Sequence, residues 1–86
     1  MELQTISKSH IPLSAVSIGT VAQVFRLEAE GLQRRRLLDL GLVPGTVVAA
    51  VRKSPLGDPI AYDIRGARIA LRTEESEKIL VKVITQ

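Results

Sequence analysis

Few residues in this 86-residue chain could do chemistry, and their spacing narrows what that chemistry is. His10 is the sole imidazole, and there is no cysteine. Disulfides, thiolate zinc sites, iron–sulfur clusters and cysteine nucleophiles are therefore excluded, as is any multi-histidine metal site within one copy. A Ser-His-Asp relay must recruit His10, which lies in the polar stretch Met1–His10. Neighbouring carboxylates occur as Glu28/Glu30 and as Glu74/Glu75/Glu77. The second set falls at an expected helix start, where negative charge is favoured without any catalytic role. Neither G-x-G-x-x-G nor G-x-x-x-x-G-K-[ST] occurs, so no phosphate cradle is expected. The chain is not expected to be an enzyme.

Twelve Lys+Arg against nine Asp+Glu leave a net charge of +3. The densest basic cluster is Arg34-Arg35-Arg36, which on a helix fans over about 200° instead of lining one stripe. Phe25 and Tyr62 are the only Phe, Tyr or Trp residues. No aromatic platform therefore interleaves the basics, which weakens a nucleic-acid reading. No run of about 18 apolar residues is present, nor a hydrophobic signal segment, and the expected location is cytoplasmic.

The elements that position these residues read as short and mostly extended. Residues 1–11 are expected to be an N-terminal extension, and 12–86 one domain. Pro12–Val16 suits a short helical turn, and Ser17–Thr20 a turn before a first strand, Val21–Leu27. That strand alternates imperfectly, with Val21, Gln23, Phe25 and Leu27 assigned to one face. A helix is expected over Ala29–Leu40, starting at Leu32 if Gly31 weakens the first turn. Gly41 stops it in a left-handed cap, and Pro44 follows. Leu37 and Leu40 should face the core.

Pro44-Gly45 suits the middle of a type II turn leading into Thr46–Lys53. After the breaker-rich Ser54–Pro59, Ile60, Tyr62 and Ile64 alternate with polar or small residues. Gly66-Ala67 is expected to connect them to Arg68–Arg72 as a hairpin. Thr73 is expected to cap a helical turn without the reciprocal box, since Ser76 stands three residues on. Ile79–Ile84 closes the chain. The spacing predicts a mainly β fold: a small barrel of about five strands, with one short helix after strand 1 and a helical turn before the last strand.

The most specific text is Arg36-Leu37-Leu38-Asp39-Leu40-Gly41-Leu42-Val43-Pro44-Gly45-Thr46. With Pro12-Leu13-Ser14, Gly57-Asp58-Pro59-Ile60, Arg65-Gly66, Ile69-Ala70-Leu71-Arg72 and Ile79-Leu80-Val81, it resembles the FeoA family over about residues 12–84. The resemblance implies an SH3-like barrel, also found at the end of iron-dependent repressors. It further implies an accessory or regulatory role beside the ferrous-iron transporter, a membrane protein with a cytosolic GTPase domain (FeoB type). Leu37, Leu40, Gly41, Pro44, Gly45 and Gly66 are its structural motif positions. No metal ligands carry over, and no cofactor is expected.

Aliphatic residues exceed what one small core can absorb, Val47, Ala49, Leu80, Ile84, Leu38 and Leu42 among them. A partner-binding surface is therefore expected among Arg35, Leu38, Leu42, Val43, Val47 and Leu80. The membrane would be reached only through the partner. Two alternatives stand beside this: a nucleic-acid-binding barrel using Arg34–Arg36, Arg52 and Lys53, and a metal-responsive homo-oligomer sharing an ion through His10 and carboxylates of two copies.

Overall fold

The structure, a computed structural model, describes residues 10–85. Six strands form one antiparallel sheet: β1 (His10–Pro12), β2 (Val21–Leu27), β3 (Val47–Lys53), β4 (Ile60–Ile64), β5 (Ala67–Leu71) and β6 (Ile79–Thr85). Their spatial order is β1-β6-β2-β3-β4-β5. A 3-10 turn, Leu13–Ala15, follows β1, helix α1 (Gly31–Asp39) joins β2 to β3, and one turn of helix, α2 (Thr73–Ser76), precedes β6.

The mainly β architecture and both helical insertions match the sequence-based expectation, with one strand more. The additional strand is β1. Residues 1–9, most of the expected extension, lie outside the described residues, but His10 and Ile11 pair with Lys82 and Val81 of β6. Three residues are too few to show a period, so the strand has no signature of its own.

One face of the curled sheet supplies Ala22, Val24 and Leu27 from β2, Val48 and Ala50 from β3, Ile60, Tyr62 and Ile64 from β4, and Ile79 and Val81 from β6. Leu13, Leu37 and Leu42 close this core from outside the sheet, each fully buried. The uneven alternation of β2 has a local cause. A bulge between Val24 and Arg26 leaves Phe25 and Arg26 both exposed and returns Leu27 to the inner face. Phe25 and Leu27, expected on one side, thus lie on opposite sides. A second irregularity between Ala50 and Arg52 ends the buried run of β3.

Helix α1 ends as its sequence demands. Gly41 adopts φ +99. Its N–H donates to the Leu38 carbonyl at 2.9 Å, and the Leu42 N–H donates to the Leu37 carbonyl at 3.0 Å. These are the two bonds of a Schellman cap, whose usual apolar contact brings Leu42 over Leu37. Leu42 is therefore core, not surface, which corrects its place among the expected partner-binding residues. Leu40 is half-buried against the core, and Leu37 is buried.

Two further corrections concern turns. The β4–β5 hairpin turns on Arg65-Gly66, one residue earlier than expected, because Ala67 already pairs with Ile64. The cap of α2 is Arg72, not Thr73. Counting three residues from Arg72 reaches Glu75, whose Oε1 accepts from the Arg72 N–H at 3.1 Å. The acceptor for that amide is present after all, which the count from Thr73 missed.

Candidate docking surface

The turn after α1 and the β4–β5 hairpin meet at the surface and bring part of the expected contact set together. The turn Val43-Pro44-Gly45-Thr46 closes with the Thr46 N–H donating to the Val43 carbonyl at 3.0 Å. Gly45 stands at φ +96, the left-handed position that a type II turn requires. Strand β2 pins this turn: the Gly45 N–H donates to Val24 O at 2.8 Å, the Val24 N–H donates to Thr46 O at 2.8 Å, and Gln23 Nε2 donates to Gly45 O at 3.0 Å. Three hydrogen bonds with β2 thus fix the backbone position here.

Beside it lies a shallow, open groove of about 500 Å³ lined by Val43, Pro44, Gly45, Thr46, Val47 and Arg65. Two of the sequence-predicted contact residues, Val43 and Val47, are brought together in it. Val47 is 49% exposed at the start of β3. Leu38 and Leu80 are half-buried elsewhere, Leu38 against the core and Leu80 on β6 opposite Pro12 and Arg26. Arg35 is exposed on α1. The six expected residues therefore do not form one patch lining this groove.

Sequence reasoning missed Arg65 as a site residue. It occupies φ 51 at the hairpin, a conformation uncommon for a residue other than glycine. A Cβ on Gly41 would stand 2.9 Å from Arg65 Cδ and 3.7 Å from Ile64 Cγ2. The arginine stem therefore lies across the Gly41 backbone, in space that only glycine leaves open. The signal was the pair Arg65-Gly66 itself, which entered the sequence reading only as part of the family resemblance.

Four of the other basic groups among the described residues, Arg26, Arg36, Arg68 and Arg72, are ion-paired. Arg36 pairs with Glu75 and so ties α1 to α2. Arg26 meets Glu28 at 2.9 Å, and Arg68 grips Asp63 at 2.8 and 3.2 Å. The hydrogen bonds from Arg68 hold the Asp63 carboxyl below its ordinary range. Asp58 accepts from the Thr73 N–H at 2.8 Å and hydroxyl at 3.0 Å, which fastens the β3–β4 loop to α2.

Tyr62 is fully buried beneath this region. Burial pushes its phenol above the ordinary value; the nearby Ser76 hydroxyl opposes that shift, and the Asp58 charge adds to it.

The outer face of the sheet carries a second feature invisible in the sequence. His10 and Phe25 stack with ring centroids 3.8 Å apart, and the Arg26 guanidinium stands 5.7 Å from the Phe25 centroid. Strand register sets His10, Lys82, Gln23 and Val47 in one row across four strands. Among the described residues, no group of three or more His, Cys, Asp or Glu side chains is placed to hold a metal ion.

An antiparallel sheet curled on one aliphatic core, with a shallow groove between the turn after α1 and the β4–β5 hairpin, defines a small SH3-like domain. The chain belongs to the FeoA domain family, whose profile matches residues 11–83. It is 37% identical over 73 residues to a Fe(2+) transport protein A/Fe(2+) transporter FeoB fusion protein of Porphyromonas gingivalis, covering 85% of this chain. The chain spans only 9% of that relative's length.

The FeoA-like protein of Clostridium acetobutylicum superposes with a TM-score of 0.84 at 37% identity, over 91% of each chain. The zinc-complexed FeoA of Stenotrophomonas maltophilia, described as a prokaryotic SH3 domain protein, superposes at 0.75 with 33% identity, over 84% of this chain and 89% of that one. A likeness of fold alone extends to IdeR of T. acidophilum, at 0.78 and 19% identity over 88% of this chain and 35% of that one.

Proposed function

We propose that this chain is a cytoplasmic accessory protein of ferrous iron uptake that acts by binding the soluble GTPase-bearing part of the membrane iron transporter, without catalysis of its own. The observation that carries this reading is the P. gingivalis relative, in which transport protein A and FeoB are one fusion protein. Covalent fusion keeps two modules together at high effective concentration. Where they are not joined, a contact surface must do the same work. The exposed aliphatics Val47 and Ile84, with the exposed ring of Phe25, support such a surface, because a barrel this small has no need of them outside its core. The proposed route to the membrane is the partner.

The test is calorimetric titration of the purified chain against the cytosolic domain of its transporter, with and without guanine nucleotide. Association is expected. No heat in either condition, where another FeoA-family protein binds its own transporter, overturns the reading.

A further inference from the structure

The groove beside the Pro44-Gly45 turn leaves few hydrogen-bond donors open. The N–H groups of Val43, Gly45 and Thr46 already serve the carbonyls of Gly41, Val24 and Val43, and Pro44 has none. What remains at its walls is the Thr46 hydroxyl, the Arg65 guanidinium and the N–H groups of Val47 and Arg65. Among the described residues Arg65 has no carboxylate within ion-pair distance, as is true of Arg34, Arg35 and Arg52 away from the groove, whereas Arg26, Arg36, Arg68 and Arg72 each have one. Its position is also constrained: the backbone is held at φ 51 in the hairpin, and the stem rests over Gly41. A single oriented, uncompensated guanidinium thus stands at the mouth of a groove with valine walls.

The geometry points to an acidic peptide segment of a partner protein as the occupant, with one carboxylate on Arg65 and small aliphatic side chains against Val43 and Val47. A guanidinium fork matches a carboxylate in two parallel hydrogen bonds. Phosphate groups of nucleic acid are less well served, since they are held by several converging cations, and Arg65 is the one basic residue lining this groove. The inference rests on reading the chain as a protein-docking domain, and it names the chemistry that the docking uses.

The probe is the capped peptide Ac-Gly-Val-Glu-Val-Gly-amide, titrated into the full chain labelled with nitrogen-15, beside the same peptide with Gln for Glu. The Glu peptide is expected to shift the Val43, Gly45, Thr46, Val47 and Arg65 amides and to bind about two- to fivefold more tightly than the Gln peptide. Arg65→Asn, which tolerates the left-handed turn, should erase that difference, and Arg65→Lys should keep part of it. The amide spectrum of each variant reports directly whether it is folded.

Equal binding of the two peptides, shifts centred elsewhere, or tighter binding of inorganic phosphate at the same amides overturns the proposal. In the transporter titration, binding of R65N as tight as that of the native chain sinks the groove and leaves the accessory reading standing. No binding by the native chain sinks the accessory reading, while the peptide titration still decides the groove.

Discussion

Replacing Gly41 by alanine tests the junction on which both the helix stop and the groove depend. Gly41 stands at φ +99, where a Cβ costs about 1–2 kcal/mol. The new methyl also meets Arg65 Cδ at 2.9 Å, so the arginine stem must leave its rotamer, at about 0.5–1.5 kcal/mol. Gly45, at φ +96 with nothing within 4 Å of where its methyl would stand, supplies the control, carrying the backbone cost without the collision. For a domain of this size each kcal/mol lowers the midpoint by roughly 4–8 °C. Gly45→Ala should therefore lose about 5–15 °C in a thermal melt followed by circular dichroism, and Gly41→Ala several degrees more.

A double-mutant cycle with Arg65→Ala isolates the contact, since the extra loss should vanish when the stem is gone. A Gly41→Ala protein as stable as wild type refutes the left-handed cap. Equal losses at Gly41 and Gly45 with no coupling to Arg65 refute the packing of the arginine over the glycine.

Other perturbations separate core from surface. Leu42→Ala should cost about 2–5 kcal/mol in urea unfolding, because the side chain is fully buried, whereas Val47→Ser should leave stability within about 0.5 kcal/mol and weaken transporter binding. Tyr62 has a folded-state pKa above its unfolded one, so its contribution is complete below about pH 10 and is lost as pH rises through the folded value. Tyr62→Phe should accordingly remove part of the alkaline loss of stability, read as a smaller drop in midpoint above about pH 10. Asp58→Ala removes the acceptor for the Thr73 N–H and hydroxyl, and should cost about 1 kcal/mol and speed hydrogen exchange at Thr73–Glu77. Arg68→Ala should return the Asp63 carboxyl to its ordinary range in a carbon-13 titration.

What could be read from the chain alone was whatever is decided within a few residues. The stop of α1 at Gly41, the type II turn at Pro44-Gly45 and the strands β3 to β6 follow from local φ/ψ preference and apolar period, and each stands within a residue or two of its expected place. Even the error at the α2 cap was one of counting from Thr73 instead of Arg72. The chain's own text also determined that no thiolate or multi-histidine chemistry could be built within one copy.

Long-range contacts decided the rest. The bulge at Phe25 depends on the register of β2 against β6, and strand β1 exists only because β6 is there to pair with it. The burial of Leu42 is set by the Schellman cap folding back on Leu37. Above all, Arg65 reaches the groove only because a hairpin 24 residues after Gly41 lays its stem on a backbone position that has no side chain. Spacing along the chain carries no record of that contact, because it is made by packing between elements whose relative placement the core determines.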